Sequence, residues 1–275
     1  MLKYKEDVRT LYFCGALICT YFMFWKCFSY SIQSTLFFFL ISMQCFQSSV
    51  IVHNCAHNHI FKDPNHNSIF FIILTLISGS PVTLYVPGHN ESHHKHLETE
   101  KDMMRTIQMQ YKNDFWNFVL FVPTILPNII KNEQKYMKNR KGTPIYKQYL
   151  KETISYHLLL IFLFFINISK TLFVYFLPTL VGKFMIISLN MLQHYKCDPN
   201  SKFNHSRNFT GTILNFFCLN NGFHTVHHNS PGLHWSKLKK KHLEIENNID
   251  KILIHENIIK YTIETHFCAL SVFFA

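Results

Sequence analysis

The sequence predicts an all-α integral membrane protein: four transmembrane helices in two hairpins beneath a cytosolic helical cap that carries a dimetal site. Three observations predict it. Apolar residues fall into long uninterrupted blocks, Lys and Arg fall between those blocks, and nine of the 18 His gather where blocks end. Of the 275 residues, 48% are hydrophobic and 16% charged, where ordinary soluble domains carry about a quarter charged. The aromatic load of 28 Phe and 13 Tyr excludes disorder. A mean hydropathy of +0.04 resembles that of a soluble protein only because it averages apolar and polar blocks. The formal charge of +11 raises nucleic acid as a partner, but no C2H2 spacing, RNP-like stretch or basic heptad array supports it, so none is expected. Eight Cys without a CxxC pair sit mostly in apolar runs and read as reduced packing residues.

Residues 1–10 carry Lys3, Lys5 and Arg9 ahead of an apolar run at 11–29. That run is longer than a secretory h-region of about 7–15 residues and lacks a small-residue cleavage site, so it reads as an uncleaved first span, with Lys26 snorkelling at its far end. A four-residue link leads to the second span, 34–52, and the two form a hairpin. The stretch 69–86 is also apolar, but Gly79, Pro81 and Pro87 interrupt it, which predicts a broken or bent, interfacial or half-embedded segment. Residues 88–152 are polar apart from an amphipathic piece at 115–130 containing Pro123 and Pro127. The third and fourth spans, 153–168 and 172–194, make a second hairpin, with Asn167, Ser169 and Lys170 between them. Lys183 falls near the middle of the fourth span, where a charge is costly. The apolar tail 267–275 is expected to pack on the domain or touch lipid. Residues 1–275 read as a single domain whose cap is drawn from 54–152 and 195–275.

Charge distribution gives the orientation. With the N-terminus cytoplasmic, residues 1–10, 54–152 and 195–275 all lie inside and hold 24 of the 27 Lys and Arg, which is the positive-inside bias. A multi-pass protein with both termini and the histidine clusters on the cytoplasmic side is the expectation.

The histidine clusters are His53-Asn-Cys-Ala-His57 after span two, His89-Asn-Glu-Ser-His93-His94 after the broken segment, and His224-Thr-Val-His227-His228 near the C-terminus. His194 ends span four, four residues after Asn190. Spacings of three and four put imidazoles on one helix face, and imidazole suits Fe, Zn, Cu and Ni. A lone His is ordinarily a hydrogen-bonded or solvated polar group, but at this composition an HxxHH box arises by chance only about 0.08 times. Eight or nine His are too many for one first-row metal and enough for two. A site above an apolar bundle is placed to oxidise a lipid chain that enters from the membrane.

The order HxxxH, HxxxHH, Asn-xxx-His and HxxHH, with paired spans before the first box and before Asn190, resembles the membrane fatty acid desaturase family. The stretches Gln193-His-Tyr-Lys-Cys-Asp-Pro199, Asn204-His-Ser-Arg-Asn208, Asn220-Asn-Gly-Phe-His-Thr-Val-His-His228 and Pro231-Gly-Leu-His-Trp-Ser236 resemble its bacterial members, and the likeness runs from about residue 10 to 245. It implies an O2-dependent fatty acyl desaturase that inserts a double bond into a lipid acyl chain at a diiron centre. Two Fe ions are implied, with His53, His57, His89, His93, His94, His194, His224, His227 and His228 as ligands and Asn190 beside one iron, commonly through water. Asp198, Asn221 and Trp235 match surroundings that orient such ligands. The chain is short for the family, and Lys183 interrupts the fourth span.

No GxGxxG loop or haem-attachment motif is present, so electrons are expected from an external ferredoxin or cytochrome b5 type donor with its reductase. The basic run Lys237 and Lys239 to Lys241 offers a face either for an acidic donor or for anionic lipid. The substrate is expected to be a fatty acyl lipid or thioester. An alkane or fatty acyl hydroxylase of the same superfamily is the alternative, because the HNxxHH form of the second box also occurs there. A membrane metal transporter is disfavoured, since it would place ionisable residues inside the spans. His59 and His96 lie beside the boxes, where a structural or solvated role is favoured over that of substitute ligands, His205 and His234 read as hydrogen-bonding neighbours, and His66, His157, His242, His255 and His266 read as structural or solvated.

Overall fold

The computed structural model describes residues 1–268; residues 269–275, and with them most of the apolar tail, lie outside the described residues. The described chain is predominantly helical, with almost no strand. The principal helices are α1 (Val8–Cys27), α2 (Ile32–His57), α3 (Pro64–Ser78), α4 (Asp114–Asn139), α5 (Pro144–Ile166), α6 (Leu177–His194), α7 (Thr212–Phe217), α8 (His224–Asn229) and α9 (Trp235–Ile245). Two short strands, β1 (Asn208–Phe209) and β2 (Ile254–His255), pair in parallel.

Four helical stretches among the described residues are long and apolar enough to cross a membrane: Lys5–Cys27, Ile32–His57, Pro144–Ile166 and Ile168–His194. Their outward faces are apolar, with Phe165 89% and Ile161 66% exposed on α5, a surface that water would not tolerate and lipid would. The segment after α2 is bent as its glycine and prolines require. α3 and the stretch Val82–His96 meet at 87°. Gly79 caps α3 in the left-handed region at φ 76°, and a β-carbon there would stand 2.6 Å from Thr179.

Helix boundaries differ from the apolar runs in two places. α5 starts at Pro144, nine residues before the apolar run, because Thr143 caps it and Pro144 suits the first helical position. α4 continues through Pro123 and Pro127 as one helix to Asn139, where a shorter piece was expected. Both prolines lie on its exposed side, while Phe121, Ile125 and Ile129 form its buried stripe, so the lost amide bonds fall on the face that water or lipid head groups reach.

The chain divides into two compact units, one of residues 1–86 and 135–186, the other of 87–134 and 187 onward. In the first, α1 packs on α2, and α3 packs on α5. Phe24 stacks on Phe37 at 5.3 Å, and a β-carbon on Gly182 would stand 2.6 Å from the backbone of Cys45, so glycine permits close approach of α6 to α2. Hydroxyls inside α2 satisfy themselves on the preceding turn, as Ser42 does on the Phe38 carbonyl at 2.7 Å. Glu152 is fully buried and accepts from the Thr83 amide (2.9 Å), the Thr83 hydroxyl (2.8 Å) and the Gln148 side chain (2.8 Å). Lys183 also finds a partner here: its ammonium donates to the carbonyl of Gly79, at the break that ends α3.

The second unit has a core of Met104, Met109, Phe121, Val122, Ile125, Ile129, Met191 and Tyr195. Buried Arg207 fastens the end of α6. Its guanidinium donates to the Leu192 carbonyl (2.8 Å) and the Tyr195 carbonyl (3.1 Å) and lies 4.4 Å over the Tyr261 ring. Helix α8 is pinned to β1 through Asn208, which accepts from the Thr225 amide (3.1 Å) and donates to the Thr225 hydroxyl (2.8 Å).

Candidate metal centre

The second unit gathers seven of the nine candidate ligand histidines into two groups. One is His93, His194, His224 and His228, whose ring nitrogens lie within 4.8 Å of one another. His194 Nε2 stands 3.2 Å from His93 Nε2, 2.9 Å from His224 Nε2 and 3.1 Å from His228 Nε2. The other is His89, His94 and His227, with His94 Nε2 3.0 Å from His89 Nε2 and 3.1 Å from His227 Nε2. The second and third boxes therefore divide between the groups: His93 parts from His89 and His94, and His227 parts from its neighbours His224 and His228.

Local geometry explains that division. The stretch Val86–His93 is a π-helix, in which residues five apart fall above one another. His89 and His94, five apart, accordingly meet with ring centroids at 4.5 Å. An α-helical reading of the second box, with spacing four, does not predict this pairing. A 3-10 turn at Val82–Leu84 separates these eight residues from the break at Gly79 and Pro81, so the helix that carries the box does not continue the register of α3.

Second contacts fix the ring tautomers. His93 Nδ1 donates to Asp102 Oδ2 at 3.0 Å, and both side chains are fully buried. His194 Nδ1 donates to the His205 carbonyl at 3.1 Å. With the proton on Nδ1, each neutral ring presents a lone pair at Nε2, toward the shared pole. Asp102 also accepts the backbone amides of Glu98 (2.9 Å) and Met104 (2.8 Å). Burial alone would raise its carboxyl, but the electrostatic attraction and hydrogen bond of the His93 N–H and these two amides outweigh it and hold Asp102 below the usual carboxylate range. Burial, followed by the neighbouring imidazoles His224, His194, His94 and His93, pushes His228 well below the usual histidine value, which leaves that ring neutral at pH 7.

The donor set fits a metal. A neutral ring nitrogen makes one hydrogen bond, so three Nε2 neighbours around His194 Nε2 are not accounted for by hydrogen bonding. A metal–nitrogen bond of about 2.0–2.1 Å with right-angle ligands separates adjacent nitrogens by about 2.9 Å, which matches the observed spacings. Asn190, one turn before His194 on α6, is buried, and its amide nitrogen meets no hydrogen-bond partner among the described residues.

A fatty acid desaturase family model matches residues 30–259. The chain belongs to the fatty acid desaturase family. It is also 24% identical over 218 residues to a sphingolipid delta(4)-desaturase of Komagataella phaffii, an alignment covering 72% of this chain and 56% of that relative. The chain thus spans little more than half the length of the curated relative it matches.

In this desaturase-family chain the remaining sequence-derived positions are distributed as follows. His53 and His57 belong to the first unit, in the last turn of α2, with ring centroids 5.3 Å apart and His53 stacked 5.8 Å from Tyr85. Asn221 accepts from Gln193, the residue before His194, at its carbonyl (3.0 Å). Asp198 closes a turn, accepting from the Asn200 amide (3.0 Å), and Trp235 begins α9 with its carbonyl held by Asn220 (3.0 Å). His205 serves the site by its backbone, and His234 caps α9 on the Ser236 amide. His266 donates to the Asp114 carbonyl (3.0 Å) and stacks on Phe118 at 5.0 Å, a structural role. Asp102 was not foreseen: it lies nine residues beyond His93 across an irregular loop, where no spacing rule links carboxylate to imidazole.

Proposed function

We propose that the chain is an O2-dependent fatty acyl desaturase that inserts a double bond into a lipid acyl chain. The observation that carries this reading is the convergence of imidazole Nε2 atoms whose Nδ1 protons are tied to Asp102 and to the His205 carbonyl. His53, His57, His89, His93, His94, His194, His224, His227 and His228 are the proposed ligands of two Fe ions, and Asn190 a proposed partner of a metal-bound water. Iron would supply oxidation of an unactivated C–H bond, which no side chain can perform. Removal of two hydrogens from adjacent methylenes, with O2 and two electrons and two protons from the external donor, balances as one alkene and two waters.

The chain's own residues do the rest. Asp102 and the His205 carbonyl hold the tautomers of His93 and His194, so that both rings offer lone pairs without rearrangement. Arg207 fixes the last turn of α6 through two carbonyls, which sets the height of His194. Thr225 and Asn208 hold α8 and with it the third box. Residues 1–275 form a single desaturase domain, with both termini and the metal centre cytoplasmic in keeping with the distribution of Lys and Arg. Electrons come from a ferredoxin or cytochrome b5 type partner with its reductase, and the substrate is a fatty acyl lipid or thioester.

Expression in a host of known lipid profile, followed by mass spectrometry of its fatty acids, tests the reading. New double bonds are expected with the native chain and none with His227→Ala. Double bonds that persist with His227→Ala would remove that ligand from the centre, and hydroxylated acyl chains without alkenes would replace the desaturase reading by the hydroxylase.

A further inference from the structure

Between the second box and α4, within the second unit, residues 97–107 form an irregular strap whose contacts lead back to one carboxylate oxygen. Asp102 Oδ2 accepts from His93 Nδ1 (3.0 Å) and from the Glu98 amide (2.9 Å), so the atom that holds the imidazole is itself held by the first turn of the strap. Glu98 takes the left-handed conformation at φ 58°, uncommon for a residue with a β-carbon and kept only where contacts compensate it. Those contacts come from its own side chain. The Glu98 carboxylate accepts the Thr106 amide at both oxygens (2.9 and 2.8 Å) and the Ile107 amide at one (2.8 Å), which ties the far end of the strap to its start with Asp102 between them. Ser92 braces the middle: its hydroxyl donates to the Lys101 carbonyl (2.8 Å) and accepts from the Met103 amide (2.8 Å), the two neighbours of Asp102.

A loop that only connects a box to a helix needs no carboxylate inside it. Burial raises the Glu98 carboxyl above its ordinary value in spite of the Thr106 and Ile107 amides, and the negative charge of Asp102 raises it further. Glu98 forms no ion pair with a lysine or arginine among the described residues. An acid thus stands beside a like charge, on a left-handed backbone, with both oxygens turned to the amides that close the strap. Its use is geometric: it fixes where Asp102 stands, and Asp102 decides which nitrogen of His93 carries the proton. Ser92, the residue before His93 in the π-helix, grips the strap on either side of the same carboxylate, so the helix that carries the ligand also holds the group that orients it.

We propose that Glu98, with Ser92, is a positioning residue of the metal centre, acting on His93 through Asp102 and setting how firmly the His93 group binds its metal. Glu98 does this without a hydrogen bond to any candidate ligand among the described residues. The proposal rests on the reading of the histidines as metal ligands and extends the centre by one layer, from ligand to orienting carboxylate to the clamp that places that carboxylate.

The test is a double-mutant cycle on the purified full chain, stripped with a chelator and titrated with Co2+ alone, whose visible absorption reports imidazole coordination. Glu98→Ala and Ser92→Ala are each expected to weaken Co2+ binding about fivefold or more, against about 10–100-fold for loss of the orienting group itself. In the Asp102→Asn background the same two substitutions should change the affinity by less than about twofold, because the route through the carboxylate is already broken. A strap that merely supports the fold gives another pattern, with equal losses in both backgrounds and a lowered thermal midpoint of the metal-free chain. Equal losses in the two backgrounds, or native Co2+ affinity in Glu98→Ala, overturn the proposal. If Glu98→Ala does not fold, Ser92→Ala decides by the same cycle, since it removes one hydroxyl and leaves the Glu98 contacts in place. A native chain that binds no Co2+ would remove the metal reading itself. One that binds Co2+ with the coupling intact and makes no double bonds in the host would remove the desaturase reading and leave the positioning role standing.

Discussion

Asp102→Asn is the substitution that separates an orienting carboxylate from mere proximity to the histidines. Asp102 accepts three hydrogen bonds: His93 Nδ1 (3.0 Å) and the Glu98 amide (2.9 Å) on one oxygen, and the Met104 amide (2.8 Å) on the other. Asparagine keeps one acceptor and gains a donor group. If its oxygen stays toward His93, the new NH2 meets the Met104 amide, donor against donor, and the buried mismatch costs about 1–3 kcal/mol of stability. If it flips, the NH2 faces His93 Nδ1, and the ring answers by moving its proton to Nε2. That places a proton where the lone pair should point, and metal affinity falls by about 10–100-fold, or about 1.4–2.7 kcal/mol. The assay is iron retained by the purified full chain against a graded chelator, read by elemental mass spectrometry, alongside double-bond yield in the host. Asp198→Asn is the control, since that carboxylate only closes a turn on the Asn200 amide. Native iron retention and native yield in Asp102→Asn would refute the orienting role.

Removing the metal with a chelator should lower the thermal midpoint of the detergent-solubilised chain and readdition of Fe should restore it, since a ligand bound only by the folded state stabilises it; a midpoint indifferent to chelation would count against a bound metal. Gly182→Ala puts a β-carbon 2.6 Å from the Cys45 carbonyl carbon and 2.7 Å from the Phe46 amide nitrogen, so a loss of about 1–3 kcal/mol is expected in thermal unfolding. An unchanged midpoint would mean that α6 and α2 are free to separate there. Glu152→Gln turns a donor onto one of three groups that now donate to the carboxylate, and about 1–3 kcal/mol should be lost by the same measurement; an equally stable Gln variant would show that the buried carboxylate is dispensable.

The sequence made visible what depends on local pattern. The four long helices follow from uninterrupted apolar blocks, because length and hydropathy are one-dimensional properties. The bend at Gly79 and Pro81 follows from residues that cannot continue a helix. The histidine boxes stand out because ligand types recur at fixed short intervals. What stayed hidden depends on contacts between distant positions or on backbone that departs from the regular α-helix. The π-turn at Val86–His93 pairs His89 with His94 where a period of 3.6 would not. The antiparallel bridge of Leu2 to Phe61 joins segments 59 residues apart. Asp102 reaches His93 through a loop, and Glu152, read as part of a polar stretch, is buried because Thr83 and Gln148 surround it.

Lys183 and the broken helix looked like separate anomalies in the sequence, and each answers the other. A lysine at mid-span costs about 2.5–3.5 kcal/mol on insertion scales when nothing receives its charge. A helix that stops at Gly79 leaves carbonyls that an apolar surrounding cannot satisfy. The ammonium of Lys183 donates to the Gly79 carbonyl, so one irregularity supplies the donor that the other lacks. The close fit of Gly79 against Thr179, four residues before Lys183 on α6, sets that approach, and a side chain at position 79 would push the two apart. A charge within a span and the glycine that ends a helix are therefore one device, which closes α3 at the break.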